Sequence, residues 1–317
     1  MKTIKIKFVD FWPGFIAEQS FLYKLLSQKF TIALSDDPDI LFFSYSGTEN
    51  IRKKYNNCLK IFYTGENIVP DFNTCDFAIG FDEINFNDRY MRLPLFYTYP
   101  SFNELRKQRI PKTSEELLNR PFCSFVVSNS NCAPERTKFY KLLNEYKEVK
   151  CGGRLYNNIG GPVKDKLSFI SNYKFNIAFE NSSVLGYTTE KLMEPLVANT
   201  LPIYWGNPEV YKDFNKKAFI NVNEFSTLED AVEFIVKLDQ NEEKYLSYFF
   251  YNEPLINDFG KHWEEHVTSF LTNAINKQKK YLTDYGTQAV YRKRLRQAYY
   301  YFDIILRIKL FLTKLKK

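Results

Sequence analysis

Short apolar runs of strand length alternate with amphipathic runs of helix length along most of this 317-residue chain. That alternation leaves few folds open, because successive parallel strands need a crossover, and the helices that supply it cover both faces of the sheet. KIKFVDF reads as a strand, AEQSFLYKLLSQKF as an amphipathic helix, and DILFFSYSG as a second, buried strand ending in Gly. LKIFYTGEN and FAIGFDE continue the series. A polar stretch from Pro100 to Arg120 then interrupts it and predicts a domain junction. FCSFVVSN restarts the alternation as a strand and PERTKFYKLLNEYKE as a helix. KFNIAFEN, TTEKLMEPLVAN, TLPIYWG and AFINV follow, before one long helix over STLEDAVEFIVKLDQNEEKYLSYFF. The chain therefore predicts two α/β halves. The first covers 1–118 and the second 119–270, with a helical segment over 271–317.

Charge narrows the partners. The net +7 sits in the tail, where residues 292–317 hold nine Lys or Arg against Asp303 alone, a local net of +8. The rest is close to neutral, so the basicity does not imply a nucleic-acid-binding body, and no nucleic-acid partner is expected. The five cysteines, Cys58, Cys75, Cys123, Cys132 and Cys151, form no C-x-x-C pair, so a reducing, cytoplasmic compartment is expected. MKTIKIKFVDFWPGF lacks the apolar core of a signal peptide, and no run is long and apolar enough for a transmembrane helix. Thirty Phe and 23 Tyr suit either stacking on sugar rings or an aromatic core, and composition alone favours the core.

In parallel sheets, ligands bind beyond the carboxyl ends of strands. Three polar clusters fall at such positions: Thr64 to Asn67, Ser128 to Arg136, and Glu180 to Ser182 with Thr188 to Lys191 opening a helix. Taken singly, each reads as turn or capping chemistry, with Thr188 or Thr189 a good N-cap and Glu190 complementing the helix dipole. Together they describe an anion site. A helix N-terminus can hold a diphosphate, Arg136 and Lys191 add full positive charges, and Glu190 can accept hydrogen bonds from ribose hydroxyls. Such a site needs no metal. The four glycines of GGRLYNNIGG (152–161) mark a loop of close backbone approach.

These residues carry a resemblance. FENS, Y-T-T-E-K and LPIYWGNP together resemble the donor-binding signature of the α1,3-fucosyltransferases (glycosyltransferase family 10), most closely the bacterial members. FYTGEN with FDEINFNDRYMRLPLFY, FCSFVVSN with APERTKFY, and the Gly-rich loop are similar to family segments in the same order, over roughly residues 55–255. The resemblance implies a GT-B fold of two Rossmann-like domains facing a cleft, the first for acceptor and the second for GDP-fucose, with inversion at the fucose anomeric carbon. It implies Glu66 as general base, its pKa raised by partial burial. It implies Arg136 and Lys191 on the diphosphate, Glu190 on the ribose, and Asn181 and Tyr187 in the same donor pocket. No cofactor is required, and a divalent cation is at most stimulatory. The implied acceptor is an N-acetylglucosamine-containing glycan, of N-acetyllactosamine type, in a surface polysaccharide or lipopolysaccharide. An α1,3/4 linkage, or another GDP-sugar on the same fold, is the alternative.

Other readings compete. His262-Trp263-Glu264-Glu265-His266 fits the H-x-x-E-H motif of inverted zinc peptidases, but only Asp284 and Asp303 remain downstream as a third ligand. Asp37-Pro38-Asp39 spells the D-x-D of metal-dependent transferases, although Ser35-Asp36-Asp37-Pro38 is good turn chemistry. Asn181-Ser182-Ser183 spells a glycosylation sequon that a chain without a signal peptide would not use. A decayed scaffold that only binds sugar would have no need of Glu66 beside Arg136 and Lys191. The tail places Leu295, Tyr299, Phe302, Ile305, Ile308, Leu312 and Leu315 at helical spacing among basic residues. It reads as an interfacial helix drawn to anionic lipid at the inner face of the membrane. Packing of Tyr291–Tyr301 against the body is the alternative.

Overall fold

The computed structural model describes residues 2–107, 112–249, 253–256, 258–277 and 280–315. Among them the first part of the chain forms β1 (Thr3–Val9), α1 (Phe21–Ser27), β2 (Thr31–Leu34), β3 (Ile40–Phe43), β4 (Leu59–Tyr63), β5 (Phe77–Gly80) and β6 (Tyr90–Arg92). Then come α2 (Phe102–Leu105), α3 (Ser114–Leu118), β7 (Cys123–Phe125), α4 (Pro134–Tyr146), β8 (Val149–Cys151), α5 (Lys166–Ile170), β9 (Phe175–Phe179), α6 (Glu190–Val197), β10 (Leu201–Trp205) and β11 (Ile220–Asn221). Helices α7 (Leu228–Asp239), α8 (Glu242–Ser247), α9 (Trp263–Lys277) and α10 (Gly286–Leu315) complete the order.

These elements make two compact units. One comprises Met1–Gly80, Ile84–Leu93 and Trp263–Lys317, the other Phe81–Glu83 and Pro94–His262. The division differs from boundaries at 118 and 270. Residues from Pro94 onward belong with the second sheet, and α9 returns to the first, where Trp263 packs edge-on against Phe21 of α1 with ring centroids 5.8 Å apart.

The first unit holds a six-stranded sheet in the order β2-β1-β3-β4-β5-β6, every neighbouring pair parallel. β3, β4 and β5 are buried at every position, as expected of strands covered on both faces. Its crossovers are less helical than the sequence pattern suggests. Between β3 and β4 the chain uses only short 3-10 turns, Glu49–Ile51 and Lys53–Tyr55.

The second unit holds a five-stranded parallel sheet, β11-β10-β9-β7-β8. Two parallel sheets are what the GT-B expectation requires. Phe139 stacks on Phe179 at 4.6 Å, inside a core that includes Phe125, Phe175, Ile177, Ile203 and Ile235. Among the described residues 15 of the 30 Phe and 8 of the 23 Tyr are buried, so the core takes a large share of the aromatic content but not all of it.

The predicted helix over 226–250 is two helices. The chain breaks at Gln240, and the Asn241 side chain caps α8 by accepting from Lys244 N at 2.9 Å. Phe250 lies outside the described residues. The tail is one continuous helix from Gly286 to Leu315. At its root, buried Arg292 donates to Thr283 O and Asp284 in the segment that precedes the helix. Tyr291, Tyr299, Tyr300, Tyr301 and Phe302 are exposed. Lys316 and Lys317 lie outside the described residues, as do the side chains of Asp303, Arg307, Lys309, Leu312, Lys314 and Leu315. Among the described residues no helix is long and apolar enough to cross a membrane.

Candidate active site

β9 is buried along its whole length because it lies between β7 and β10, and it delivers Glu180 to the carboxyl end of the sheet with no exposed surface. The strand order reverses between β9 and β7, which is where open parallel sheets take their ligands. Glu180 is heavily bonded there. One carboxylate oxygen accepts from Thr189 N at 2.8 Å, the Thr189 hydroxyl lies 2.8 Å and 3.0 Å from its two oxygens, and Lys191 Nζ lies 3.2 Å away. Burial pushes the Glu180 carboxyl up, against the pull of Lys191 and the Thr189 donors.

Thr189 is the N-cap of α6, so Glu190 and Lys191 are its first two residues. Burial works to lower the Lys191 pKa, but the Glu180 and Glu190 carboxylates outweigh it and hold it above the ordinary lysine range. Glu190 Oε1 lies 3.5 Å from Lys191 Nζ and 4.0 Å from Lys166 Nζ. Burial opposes its charge, yet these two cations hold its carboxyl below the usual range. Lys166 also pairs with Glu194 at 2.5 Å, while the Tyr99 hydroxyl, raised by burial, interacts with Glu190.

Arg136 enters from the first turn of α4, which follows β7. It is 1% exposed. Nη1 donates to Asn181 Oδ1 at 2.8 Å, and Nη2 donates to the Asn129 carbonyl. Among the described residues its buried Nε–H has no partner. A guanidinium held only by neutral acceptors, with one donor unused, is a charge prepared for an anion. The backbone ties the same two segments together, since Ala133 N donates to Asn181 O at 2.8 Å.

The loop from Glu180 to Lys191 is stitched to the one after β10. Ser183 Oγ donates to Gly206 O at 2.7 Å, Asn207 Oδ1 accepts from Gly186 N at 2.9 Å, and Asn207 Nδ2 donates to Thr188 Oγ1 at 3.1 Å. Gly186 has φ +78°, and a Cβ there would meet Phe81 O at 2.6 Å. Tyr187 is buried, its ring edge-on to Phe81 at 5.2 Å. The Gly-rich loop closes on the neighbouring strand end, with Arg154 N donating to Ser128 Oγ at 3.2 Å and Leu155 N to Val127 O at 3.1 Å.

Five of the six expected residues, Arg136, Asn181, Tyr187, Glu190 and Lys191, thus belong to one unit and one end of its sheet. Glu66 belongs to the other unit, in the turn after β4, where its N–H donates to Thr64 Oγ1 at 3.0 Å. Its side chain is exposed rather than half-buried, because β4 ends at Tyr63 and Thr64 is the last buried residue before the turn. Glu180 as the anchor of Lys191, and Asn129, Lys166, Glu194 and Tyr99 around it, had no assigned role in the sequence reading. Nothing at Lys166, 28 positions before Glu194, signals their pairing.

The competing motifs resolve locally. α9 begins at Trp263, so His262 precedes the helix that His266 occupies, and Trp263 between them is buried. Asp37 and Asp39 form a turn: Asp37 N donates to Ser35 Oγ at 3.1 Å, and Asp39 Oδ2 accepts from Lys5 N at 3.2 Å. Among the described residues no group of three or more His, Cys, Asp or Glu is placed to hold a metal ion.

Residues 6–99 match the Alpha-(1,3)-fucosyltransferase FucT N-terminal domain, and residues 119–293 match the Glycosyltransferase family 10 (fucosyltransferase) C-terminal domain. The chain belongs to glycosyltransferase family 10. This family-10 chain is 38% identical over 296 residues to the Helicobacter pylori protein Alpha-(1,3)-fucosyltransferase FucT, a match covering 81% of the chain and 62% of the relative. It is 37% identical over 135 residues to the Bos taurus 3-galactosyl-N-acetylglucosaminide 4-alpha-L-fucosyltransferase FUT3, covering 42% of the chain and 36% of that relative. It therefore spans less than two thirds of either. A crystal structure of an alpha1,3-fucosyltransferase with GDP-fucose superposes with a TM-score of 0.76 at 33% identity, over 89% of this chain and 94% of that one.

Proposed function

We propose that this chain is an inverting fucosyltransferase that moves fucose from GDP-fucose to the 3-hydroxyl of N-acetylglucosamine in an N-acetyllactosamine-type acceptor. The observation that carries the reading is Arg136, a buried guanidinium bonded to Asn181 and Asn129 with its Nε–H unused, in the same unit as the α6 N-terminus and Lys191. These groups suit a nucleoside diphosphate: two full charges and the free N–H groups of a helix end stabilise the negative charge that grows as the sugar departs. The likeness to the H. pylori Alpha-(1,3)-fucosyltransferase FucT and to the crystal structure with GDP-fucose favours fucose among the possible sugars.

In the proposed reaction the carboxylate of Glu66 takes the proton of the acceptor hydroxyl while that oxygen attacks fucose C1. The bond from C1 to the β-phosphate oxygen breaks, GDP leaves from the opposite face, and the anomeric configuration inverts. Asn181 serves by holding the Arg136 fork, and Glu190 is assigned to the ribose hydroxyls. The cationic side chains supply the charge neutralisation, so a divalent cation is at most stimulatory.

The acceptor is proposed to be a glycan of the cell surface, such as lipopolysaccharide, built at the cytoplasmic face of the membrane. The exposed Tyr299, Phe302, Ile305 and Ile308 of α10, with exposed Lys293 and Arg294, favour an interfacial helix on anionic lipid. Loss of binding to anionic vesicles at low salt would remove that part of the reading.

The test of function is incubation with GDP-fucose and a panel of N-acetyllactosamine and lacto-N-biose acceptors, followed by linkage analysis. Transfer to the 3-hydroxyl of the first acceptor is expected. Transfer to lacto-N-biose as well would give the α1,3/4 activity, in keeping with the 4-alpha name of the bovine relative. Transfer from another nucleotide sugar, with none from GDP-fucose, would overturn the assignment.

A further inference from the structure

The sheet of the first unit has its own reversal of strand order. The chain passes from β1 to β2 on one side, then crosses back to lay β3 on the other side of β1. The crevice at the carboxyl ends of β1 and β3 is therefore the place in this sheet where a ligand fits. β4, whose end leads into the Glu66 turn, is the next strand over, with Phe43 of β3 in register with Phe62.

Two exposed aromatic rings stand at this crevice. Trp12 follows β1 and is 42% exposed, and Tyr45 follows β3 and is 40% exposed. Both sit on fixed backbone. Trp12-Pro13-Gly14-Phe15 is a turn closed by Phe15 N to Trp12 O at 3.2 Å, with Gly14 at φ +83° and Pro13 before it, the arrangement of a type II turn. Phe11 and Phe15 hold the edges of the Trp12 ring at centroid distances of 5.5 Å and 5.2 Å. The Tyr45 loop is tied to the Trp12 loop by Ser46 N donating to Asp10 O at 2.8 Å. The Asp10 carboxylate locks the far end by accepting from Glu49 N at 2.9 Å and Asn50 N at 2.8 Å. Space for this lock is reserved, since a Cβ on Gly47 would sit 2.3 Å from Asp10 Oδ1.

Half-exposed aromatic rings on loops tied this way have little structural value, because an exposed ring forgoes the burial that would stabilise it. They suit a ligand with both an apolar face and hydroxyl groups. We propose that Trp12 and Tyr45 form the platform on which the acceptor saccharide stacks through its C–H face, making them specificity-determining residues of the transfer. The proposal rests on the fucosyl-transfer reading and deepens it. Recognition falls to the crevice of β1 and β3, while the adjoining strand β4 carries the base.

The test is steady-state kinetics of the full chain with N-acetyllactosamine and GDP-fucose varied in turn, for Trp12→Ala, Tyr45→Ala and Trp12→Phe. Each alanine variant is expected to raise the acceptor KM about tenfold, with the KM for GDP-fucose unchanged and Trp12→Phe recovering part of the loss. If Trp12→Ala fails to fold, Tyr45→Ala decides alone, since its ring can be removed without disturbing the Phe11–Trp12–Phe15 cluster. An active wild type with unchanged acceptor KM in the folded alanine variants overturns the platform and leaves the transferase reading standing. An equal rise in both KM values also overturns it. Wild-type protein inactive with GDP-fucose defeats the transferase reading, and this inference with it.

Discussion

Lys191 Nζ lies 3.2 Å from Glu180 Oε2, a carboxylate with no exposed surface, eleven positions earlier in the chain. The pair fixes the side chain at the mouth of α6. Its two members should not be equivalent on mutation. Lys191→Ala leaves Glu180 bonded to Thr189 but without its cation, so some loss of stability is expected together with a GDP affinity about ten- to a hundredfold lower from the lost charge-assisted hydrogen bond. Glu180→Ala leaves Lys191 with Glu190 alone and also strips Thr189 of its acceptor, so it should cost more stability, about 3–5 kcal/mol. Calorimetric GDP titration and chemical denaturation of the two variants separate these outcomes.

Arg136→Lys keeps the charge and loses the fork. An ammonium at that position cannot bond Asn181 and Asn129 in one plane and still present a donor to a phosphate. GDP affinity is expected to fall about tenfold or more, with circular dichroism unchanged. Undiminished affinity would remove Arg136 from the diphosphate site.

Glu66→Gln preserves the turn, because the bond to Thr64 is made by the backbone N–H. Transfer is expected to drop by roughly 10²–10⁴ while GDP binds as before. Wild-type turnover in the variant would end the general-base assignment.

Lys60 gives a pH signature unrelated to catalysis. It is buried in β4, donates from Nζ to Asn50 O at 2.6 Å, and burial, helped by Arg292, pulls its pKa down to about 8. Between about pH 8 and the ordinary lysine value, the unfolded chain holds a proton that the folded one has released. Stability from this group therefore rises with pH across that window, and the cost is fully present below it. Lys60→Met should raise the melting temperature at pH 7, and the advantage should shrink as pH approaches 10. A pH-independent difference would show that Lys60 does not titrate in that range.

Gly153→Ala tests the loop that follows β8. A Cβ there would lie 1.9 Å from Val127 O, in backbone that cannot yield without breaking the Leu155–Val127 bond. The variant is expected to lose about 1–3 kcal/mol and to bind GDP less well. A neutral melting temperature would mean that the loop relaxes.

Much of this architecture was legible because its signals are local. Periods of two and 3.6 mark strands and helices, Thr189 caps α6 whatever surrounds it, and FENS through WGNP reads as one functional stretch. Short strands were not legible. β2, β6 and β8 are three or four residues long, too short to show a period, and become strands only because a neighbour offers its free backbone groups. Nor was the helix break at Gln240, which a single capping Asn241 decides.

What the chain determined by itself was the alternation that forces parallel sheets, the clusters at strand ends, and the basic tail. What only tertiary structure decided was adjacency. Strand order puts β9 beside β7, so Arg136 meets Asn181 forty-five positions away. The same order puts β1 beside β3, so Trp12 and Tyr45 come to one crevice. Burial likewise made Lys60 titrate low and left Glu66 exposed. Hydrogen bonding and desolvation depend on distance in space, and sequence spacing encodes that only within a turn or two of helix.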